Sequence, residues 1–116
     1  MRMWMVDPKL LCQKHLLGEH GEIHKHRHNF VKQHSITKRV SPVVQIEPNA
    51  METRHDVLAK EILRRGMNHQ SPFVQPSVAY LPVAEQLAVV DTQNSLRDLS
   101  NRCLECAKRI RNENNN

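Results

Sequence analysis

The placement of the six prolines restricts what this chain can fold into more than any other feature of its sequence. Pro8 stands near the start, and the other five fall within two segments, 35–50 and 67–82. A proline ends or kinks a helix because it has no amide proton and its ring clashes with the preceding turn. The pattern therefore predicts two long loops that separate three helices.

The first helix is predicted over residues 8–34. Asp7 and Pro8 favour a start here, since aspartate caps free amide groups and proline fits the first turn. Three apolar residues recur every seven positions and would share one stripe: Leu16, Ile23 and Phe30. Gly18 and Gly21 each weaken this helix by about 1 kcal/mol relative to alanine, and such glycines can mark the close approach of a ligand.

The second and third helices are predicted over residues 51–65 and 83–111. Gly66 is suited to cap the end of the second, whose helically spaced apolar positions are Met51, Leu58 and Ile62. The third carries an apolar seam with alternating spacings of three and four: Val89, Thr92, Leu96, Leu99, Cys103, Cys106 and Ile110. Each helix thus has one face that can enter a core.

These elements predict an all-α fold, with a single compact domain of three helices joined by long proline-containing loops over residues 1–111. The polar tail 112–116 is expected to be disordered. The sequence has only one Trp, one Tyr and two Phe. The core must therefore be aliphatic, or the fold must depend on a partner.

The chain is basic, with a formal net charge of +5 and eight histidines. Such a balance favours polyanions, most simply nucleic acid, although a solvated basic face is the alternative. No apolar run approaches the roughly 20 residues of a membrane span, and no secretion signal is recognisable. An odd number of cysteines argues against a disulfide scaffold. We expect a cytoplasmic, DNA-associated protein without a membrane partner.

Two polar clusters have spacings that permit chemistry. His15, Glu19, Glu22 and His26 would share one face of the first helix, where they could act in acid–base catalysis, bind a metal or form a solvated face. The second cluster is His20, His24, His26 and His28. Only His20 and His24 have the four-residue spacing that allows two imidazoles to share one metal. A phosphate-binding surface is therefore favoured there over a metal site.

The CxxC sequence at Cys103 and Cys106 indicates either redox chemistry, half of a zinc site or buried thiols. A zinc site needs two further ligands, and Cys12 is distant in sequence. Because both cysteines fall on the apolar seam, buried thiols are the favoured interpretation, and no metal or other cofactor is predicted.

Three segments of the chain resemble the pyrimidine dimer DNA glycosylases of the phage endonuclease V type. Lys14-His15-Leu16-Leu17-Gly18-Glu19-His20-Gly21-Glu22-Ile23 is similar to the motif of that family's first helix. Arg54-His55-Asp56, followed by Leu63-Arg64-Arg65-Gly66-Met67-Asn68-His69, resembles its second helix. Tyr80-Leu81-Pro82 before a long helix is a third similarity.

The resemblance implies a glycosylase and abasic-site lyase that acts on damaged double-stranded DNA, and we expect a monomer. The family's nucleophile, an N-terminal α-amine, falls on Met1. Arg2 would hold a phosphate, and Glu22 matches the essential carboxylate. The resemblance and the basic pairs together give the candidate DNA-binding residues: His15, Lys25, Arg27, Lys38, Arg39, Arg64, Arg65 and His69.

Two departures from the family pattern leave other hypotheses open. Gly21 stands where the family has a basic residue, and the family's aromatic-rich C-terminal segment is absent. A non-catalytic protein that binds nucleic acid or another protein is the main alternative. A metalloprotein that uses His15, Glu19, Glu22 and His26 is the third hypothesis.

Overall fold

The computed structural model describes residues 2–69 and 71–114, and within these ranges it contains helices and loops but no strand. The prediction of an all-α fold is confirmed. The described residues form six α-helices: α1 (Gln13–Val31), α2 (Thr37–Val40), α3 (Met51–Arg64), α4 (Val83–Gln86), α5 (Thr92–Arg102) and α6 (Leu104–Asn114). Two short 3-10 turns, Pro8–Leu10 and Pro48–Ala50, precede α1 and α3. The predicted number of three helices is therefore wrong.

The first helix begins five residues later than predicted. Asp7 does act as a cap, but its carboxylate accepts from the Lys9 amide at 3.0 Å and caps only the 3-10 turn. Cys12 caps α1 instead, and its Sγ accepts from the His15 amide. The apolar stripe is confirmed, because Leu16, Ile23 and Phe30 are all buried.

The predicted third helix is divided into α4, α5 and α6. The Asp91 carboxylate accepts a hydrogen bond from the Asn94 amide at 3.1 Å, in place of a backbone carbonyl. Asp91 thereby caps a new helix, and α5 begins at the next residue. Cys103 is extended, with φ −135° and ψ 114°, and separates α5 from α6. The apolar seam is consequently not continuous: Leu99 and Cys106 are fully buried, whereas Val89 is 71% exposed.

The helix α6 extends to Asn114. It therefore includes three of the five residues that composition assigns to a polar tail, while Asn115 and Asn116 lie outside the described residues. None of the described helices is long and apolar enough to cross a membrane.

A buried ion pair joins the two long helices and the N-terminal segment. Arg54 of α3 donates to both carboxylate oxygens of Glu19 in α1, at 2.6 and 2.9 Å, and to the Val6 carbonyl at 2.7 Å. Around it, the apolar side chains of α1 and α3 pack together, and Met51, Leu58 and Ile62 are buried as predicted. Gly66 follows α3 with a φ of +83°, a value that suits glycine and ends the helix.

Candidate active site

A cleft of about 400 Å³ lies between the N-terminal segment and one face of α1. Its lining includes Arg2, Trp4, Lys14, His15, Gly18 and Glu22. The N-terminal segment is held in place by its backbone, since the Met3 amide donates to the Gln45 carbonyl at 2.7 Å. The cleft therefore brings two of the three predicted catalytic residues, Arg2 and Glu22, to one place.

The carboxylate of Glu22 is held by a chain of hydrogen bonds along α1. Its Oε2 lies 3.0 Å from Nε2 of His26, and the Nδ1 of that ring lies 2.9 Å from the Asn29 amide nitrogen. Because the Asn29 amide group is a donor, Nδ1 must accept and Nε2 carries the proton that goes to Glu22. Asn29 in turn accepts from His34 Nδ1 at 3.1 Å.

Burial lowers the pKa of His26, although Glu22 acts in the opposite direction. The imidazole is therefore neutral at pH 7, and its contact with the carboxylate is a hydrogen bond from a neutral donor. The Glu22 side chain keeps 40% of its surface exposed. It is thus both oriented by the protein and accessible from the cleft.

Arg2 is fixed at the cleft by two neighbours. Its guanidinium donates to Asp98 of α5 at 2.8 Å and lies 4.2 Å from the centre of the Trp4 ring. The hydrogen bond from Arg2 lowers the pKa of Asp98. A cation held in this way can bind a phosphate group without first being ordered.

Met1, the predicted nucleophile, lies outside the described residues. Arg2 is the next residue in the chain and lines the cleft that contains Glu22.

The four residues of the predicted α1 face do not converge on one point. Both oxygens of Glu19 bind Arg54, in the interior. His15 Nδ1 lies near two cysteine Sγ atoms, while Glu22 pairs with His26. The helical spacing predicts the pairing of Glu22 with His26, but Glu19 and His15 have partners from other parts of the chain. This geometry gives no support to a metal held by these four residues.

Some of the predicted DNA-binding cations lie exposed near this face. Lys25 is exposed one turn beyond Glu22 on α1, and Lys38 and Arg39 are exposed on α2. Arg39 lines a neighbouring hollow of about 190 Å³ together with His26. Arg27 is directed elsewhere, since its Nε donates to the Val74 carbonyl at 2.8 Å.

Arg64 and Arg65 share one buried carboxylate. Arg64 donates to Glu61 at 2.6 and 2.7 Å, and Arg65 donates to it at 2.8 Å. The Arg64 hydrogen bonds lower the pKa of Glu61 to about 2, with Arg65 adding to the effect against burial. Arg65 also donates to the Leu11 carbonyl at 2.7 Å. Arg65 therefore helps to fix the turn before α1, whereas Arg64 helps to hold the Glu61 carboxylate.

The two histidines predicted to bind DNA lie within side-chain clusters. His15 Nδ1 is 3.2 Å from Cys12 Sγ and 3.5 Å from Cys106 Sγ. His69 Nε2 is 3.3 Å from His55 Nε2. In the described part of the chain, two groups have the ligand atoms to hold a metal. The first is Cys12, His15, Cys103 and Cys106, and the second is His20, His24, His55 and His69.

Several residues of the cleft were not found by reading the sequence. Lys14 had a usable signal, because it precedes Gly18 by four residues and Glu22 by eight and so shares their side of α1. Asp98, which does not line the cleft but holds Arg2, had none, since this contact depends on how α5 packs against the N-terminal segment. The contact of Trp4 with Arg2 depends on the irregular conformation of the N-terminal segment itself.

Comparison with protein families identifies one matching family. A family model described as pyrimidine dimer DNA glycosylase matches residues 1–75, more than half of the 116-residue chain. That match includes the whole of α1 and α3 and every predicted catalytic residue. No curated protein and no solved structure shows significant similarity to the chain. The chain belongs to the pyrimidine dimer DNA glycosylase family.

Proposed function

We propose that this protein is a DNA glycosylase and abasic-site lyase whose nucleophile is the α-amine of Met1. The observation that carries the proposal is the shared cleft, in which Arg2, the residue after Met1, stands with the oriented carboxylate of Glu22. An α-amine has a reference pKa of about 7.7–8.0, so a useful fraction is neutral and nucleophilic at neutral pH.

In the glycosylase step, the neutral amine attacks deoxyribose C1′ and the bond from C1′ to the damaged base breaks. The base leaves with the bonding electrons, and C1′ is then bonded to the amine nitrogen and to the ring oxygen O4′. The C1′–O4′ bond next breaks as the nitrogen lone pair forms the C1′=N bond, and O4′ takes up the proton that the attacking amine has given up. The product is an open-chain sugar joined to the protein as a protonated imine. Glu22 stabilises the positive charge that develops on the sugar and the imine. This role requires an ionised carboxylate close to the sugar, as the half-exposed position of Glu22 permits.

In the lyase step, Glu22 removes a proton from C2′. The electron pair of that C–H bond forms a C2′–C3′ double bond, and the C3′–O bond breaks to release the phosphate. Arg2 binds a phosphate beside the reacting sugar, while Lys25 and Arg39 contribute to binding the duplex. The nucleotide must leave the base stack for the amine to reach C1′.

The space beside Gly18 supports the entry of a ligand. A Cβ atom built at this glycine would meet nothing within 4 Å, so the packing of the protein does not require glycine here. The residue nevertheless lines the cleft, where an absent side chain leaves room for a sugar or a base.

Borohydride trapping on duplexes that contain an abasic site tests the proposal directly. The native protein should form a covalent adduct after reduction of the imine, and Glu22→Gln should reduce its yield at least tenfold. Glu113→Gln, which removes an exposed carboxylate on α6, is the matched control and should leave trapping unchanged. A Gly-Ser extension before Met1 should also abolish the adduct.

Absence of an adduct with the native protein, or an adduct that Glu22→Gln leaves undiminished, would contradict the proposed chemistry. Salt-sensitive binding to DNA without any adduct would instead identify a non-catalytic binder on the same scaffold. A panel of duplexes that carry different lesions, including pyrimidine dimers, then defines the substrate.

A further inference from the structure

We propose that Cys12, His15, Cys103 and Cys106 bind a structural zinc ion that fastens the C-terminal helices to the start of α1. This inference does not rest on the proposed enzymatic function. The four ligand atoms lie within 4.8 Å of one another, although the residues are separated by up to 94 positions in the chain.

The distances fit tetrahedral zinc. Bonds of about 2.3 Å to sulfur and about 2.0 Å to nitrogen place neighbouring ligand atoms about 3.8 Å apart for two sulfurs and about 3.6 Å apart for sulfur and nitrogen. The Sγ atoms of Cys12 and Cys103 are 3.7 Å apart. His15 Nδ1 is 3.2 Å from Cys12 Sγ and 3.5 Å from Cys106 Sγ.

The backbone is arranged to stabilise thiolates. Cys12 stands at the N-terminus of α1 and Cys103 at that of α6. The second ligand of each half-site, His15 or Cys106, follows three residues later in the first turn of the helix. The amides of His15 and Cys106 donate to Cys12 Sγ and Cys103 Sγ, both at 3.5 Å. The Cys12 amide donates to Cys106 Sγ at 3.3 Å. Helix N-termini and amide donors favour the ionised sulfur that zinc requires.

A metal explains features that buried thiols alone leave without a reason. The helical pattern of the sequence continues through Cys103, yet the backbone becomes extended there and gives the two half-sites, C-x-x-H and C-x-x-C, similar local geometry. A disulfide needs sulfurs about 2.05 Å apart and would leave both the third thiol and the imidazole unexplained. The sequence predicts no metal here because Cys12 is distant in the chain and both other cysteines fall on an apolar seam. The fold nevertheless brings Cys12 and His15 beside Cys103 and Cys106.

Four protein ligands close the coordination sphere, which is typical of a structural rather than a catalytic zinc. Cys12 and Cys106 are buried, and α6 packs on the 3-10 turn before α1. The ion would therefore strengthen a contact between the two ends of a small domain that is poor in aromatic residues. His15 also lines the cleft and contacts Trp4, with 5.8 Å between ring centres, so the same ion would support one wall of the cleft.

We infer a second cation site from independent geometry, in which four imidazoles meet across three segments of the chain. Nε2 of His55 lies 3.2, 2.9 and 3.3 Å from the Nε2 atoms of His20, His24 and His69 respectively. Neighbouring nitrogens on tetrahedral zinc are about 3.3 Å apart, given bonds of about 2.0 Å.

Hydrogen bonding cannot account for these contacts. Nδ1 of His55 lies 3.0 Å from the Asp56 carboxylate and must donate to it, which leaves Nε2 of His55 with a lone pair. One ring nitrogen does not accept from three others at once, whereas one cation satisfies all four lone pairs. The Asp56 carboxylate would then orient a ligand in the way that second-sphere carboxylates do at zinc sites.

Metal analysis of untagged protein, purified without chelators and then incubated with excess zinc and desalted, tests both sites. We expect about two zinc ions per chain, one at each tetrahedral site. Cys103→Ser should remove one ion and leave the other, and Cys103→His should retain both because imidazole replaces the thiolate. His24→Gln should remove only the second ion. The matched control is His28→Gln, since this exposed histidine lies outside both clusters.

Cobalt substitution of the native chain keeps the test independent of variant folding. A tetrahedral site with three thiolates should give intense visible bands and sulfur-to-cobalt charge-transfer absorption, both displaced by zinc. A native protein that binds no metal, or whose cobalt form lacks charge transfer, would overturn the first site. Full zinc retention in a folded His24→Gln variant, or a native chain that binds only the ion lost in Cys103→Ser, would overturn the second.

Discussion

The cleft and the cysteine-containing cluster adjoin the same helix, but they differ in almost every physical respect. The cleft is open, and its carboxylate, Glu22, is partly exposed beside the unfilled space at Gly18. The cluster is closed, and two of its three thiols are buried. The cleft draws on α1 and nearby N-terminal residues, whereas the cluster joins Cys12 to Cys106.

This difference separates residues that serve a ligand from residues that serve the fold. Charged groups around an empty hollow contribute little to folding because water screens them. Buried polar groups must be satisfied by partners, so their loss destabilises the whole domain. Substitutions in the cleft should therefore change activity at nearly constant stability, and substitutions in the interior should do the reverse.

The largest expected effect is a loss of stability when the buried ion pair between Arg54 and Glu19 is broken. Arg54→Met leaves the buried carboxylate of Glu19 without its cation and should lower the free energy of unfolding by about 3–5 kcal/mol. Urea denaturation measures the loss. The double variant Arg54→Met with Glu19→Leu should recover much of it, because no charge then remains buried. Equal stability of the single variant and the native protein would show that the ion pair is not structural.

A smaller loss is expected at the carboxylate shared by Arg64 and Arg65. Glu61→Gln should cost about 1–3 kcal/mol at pH 7, since charged hydrogen bonds are replaced by weaker ones. The pKa of Glu61 is lowered to about 2 in the folded state, so its contribution is complete above the unfolded value of about 4.3. It is lost as the pH falls towards 2.

Urea denaturation of the native protein and of the Glu61→Gln variant across this pH range tests whether the stabilisation by Glu61 is lost under acid. The gap in unfolding free energy between the two should narrow as the pH falls from about 4.3 towards 2. A gap that widens under acid would mean that Glu61 is not stabilised as the anion.

A further effect is expected in the cleft, where His26 orients the carboxylate of Glu22. His26→Phe removes the hydrogen bond that orients Glu22 and should slow single-turnover trapping about tenfold, which corresponds to about 1.4 kcal/mol. His26→Gln can still donate to Glu22 and should recover part of the rate. Both variants should unfold within about 0.5 kcal/mol of the native protein. A rate that is unchanged in His26→Phe would exclude a positioning role for this imidazole.

The smallest expected effect comes from adding one methyl group at Gly18, which should increase stability but weaken DNA binding. Gly18→Ala should raise the free energy of unfolding by up to about 1 kcal/mol, because alanine favours the helix and the Cβ has free space. The same methyl group enters the cleft and should weaken binding to abasic-site DNA several-fold. Gly21→Ala is the control, since it should stabilise α1 similarly without lining the cleft. Equal DNA affinity in both variants would argue against a ligand beside Gly18.

The sequence predicts well what depends on neighbours along the chain. The buried stripe of α1, the apolar positions of α3 and the face shared by Glu22 and His26 all follow from helical spacing. Their confirmation reflects the local geometry of a helix, which fixes which residues lie side by side.

What depends on packing between distant segments was predicted poorly. The partners of His15 come from both ends of the chain, and His69 meets histidines of α1 and α3. Nothing in the basic pair at Arg64 and Arg65 indicates that Arg65 donates to the carbonyls of Pro8 and Leu11, which are distant in the chain. The break at Cys103 interrupts a strong helical pattern, because the local preference there is overridden by contacts across the fold.

The ion pair between Arg2 and Asp98 has a practical consequence for the smallest unit of this protein worth expressing. The family match ends at residue 75, but the anion that holds Arg2 belongs to α5, beyond that boundary. A fragment trimmed to residues 1–75 would keep Met1, Arg2 and Glu22. It would lose Asp98, which holds the guanidinium of Arg2. Homology boundaries and the boundaries of a working protein are therefore different things in this chain.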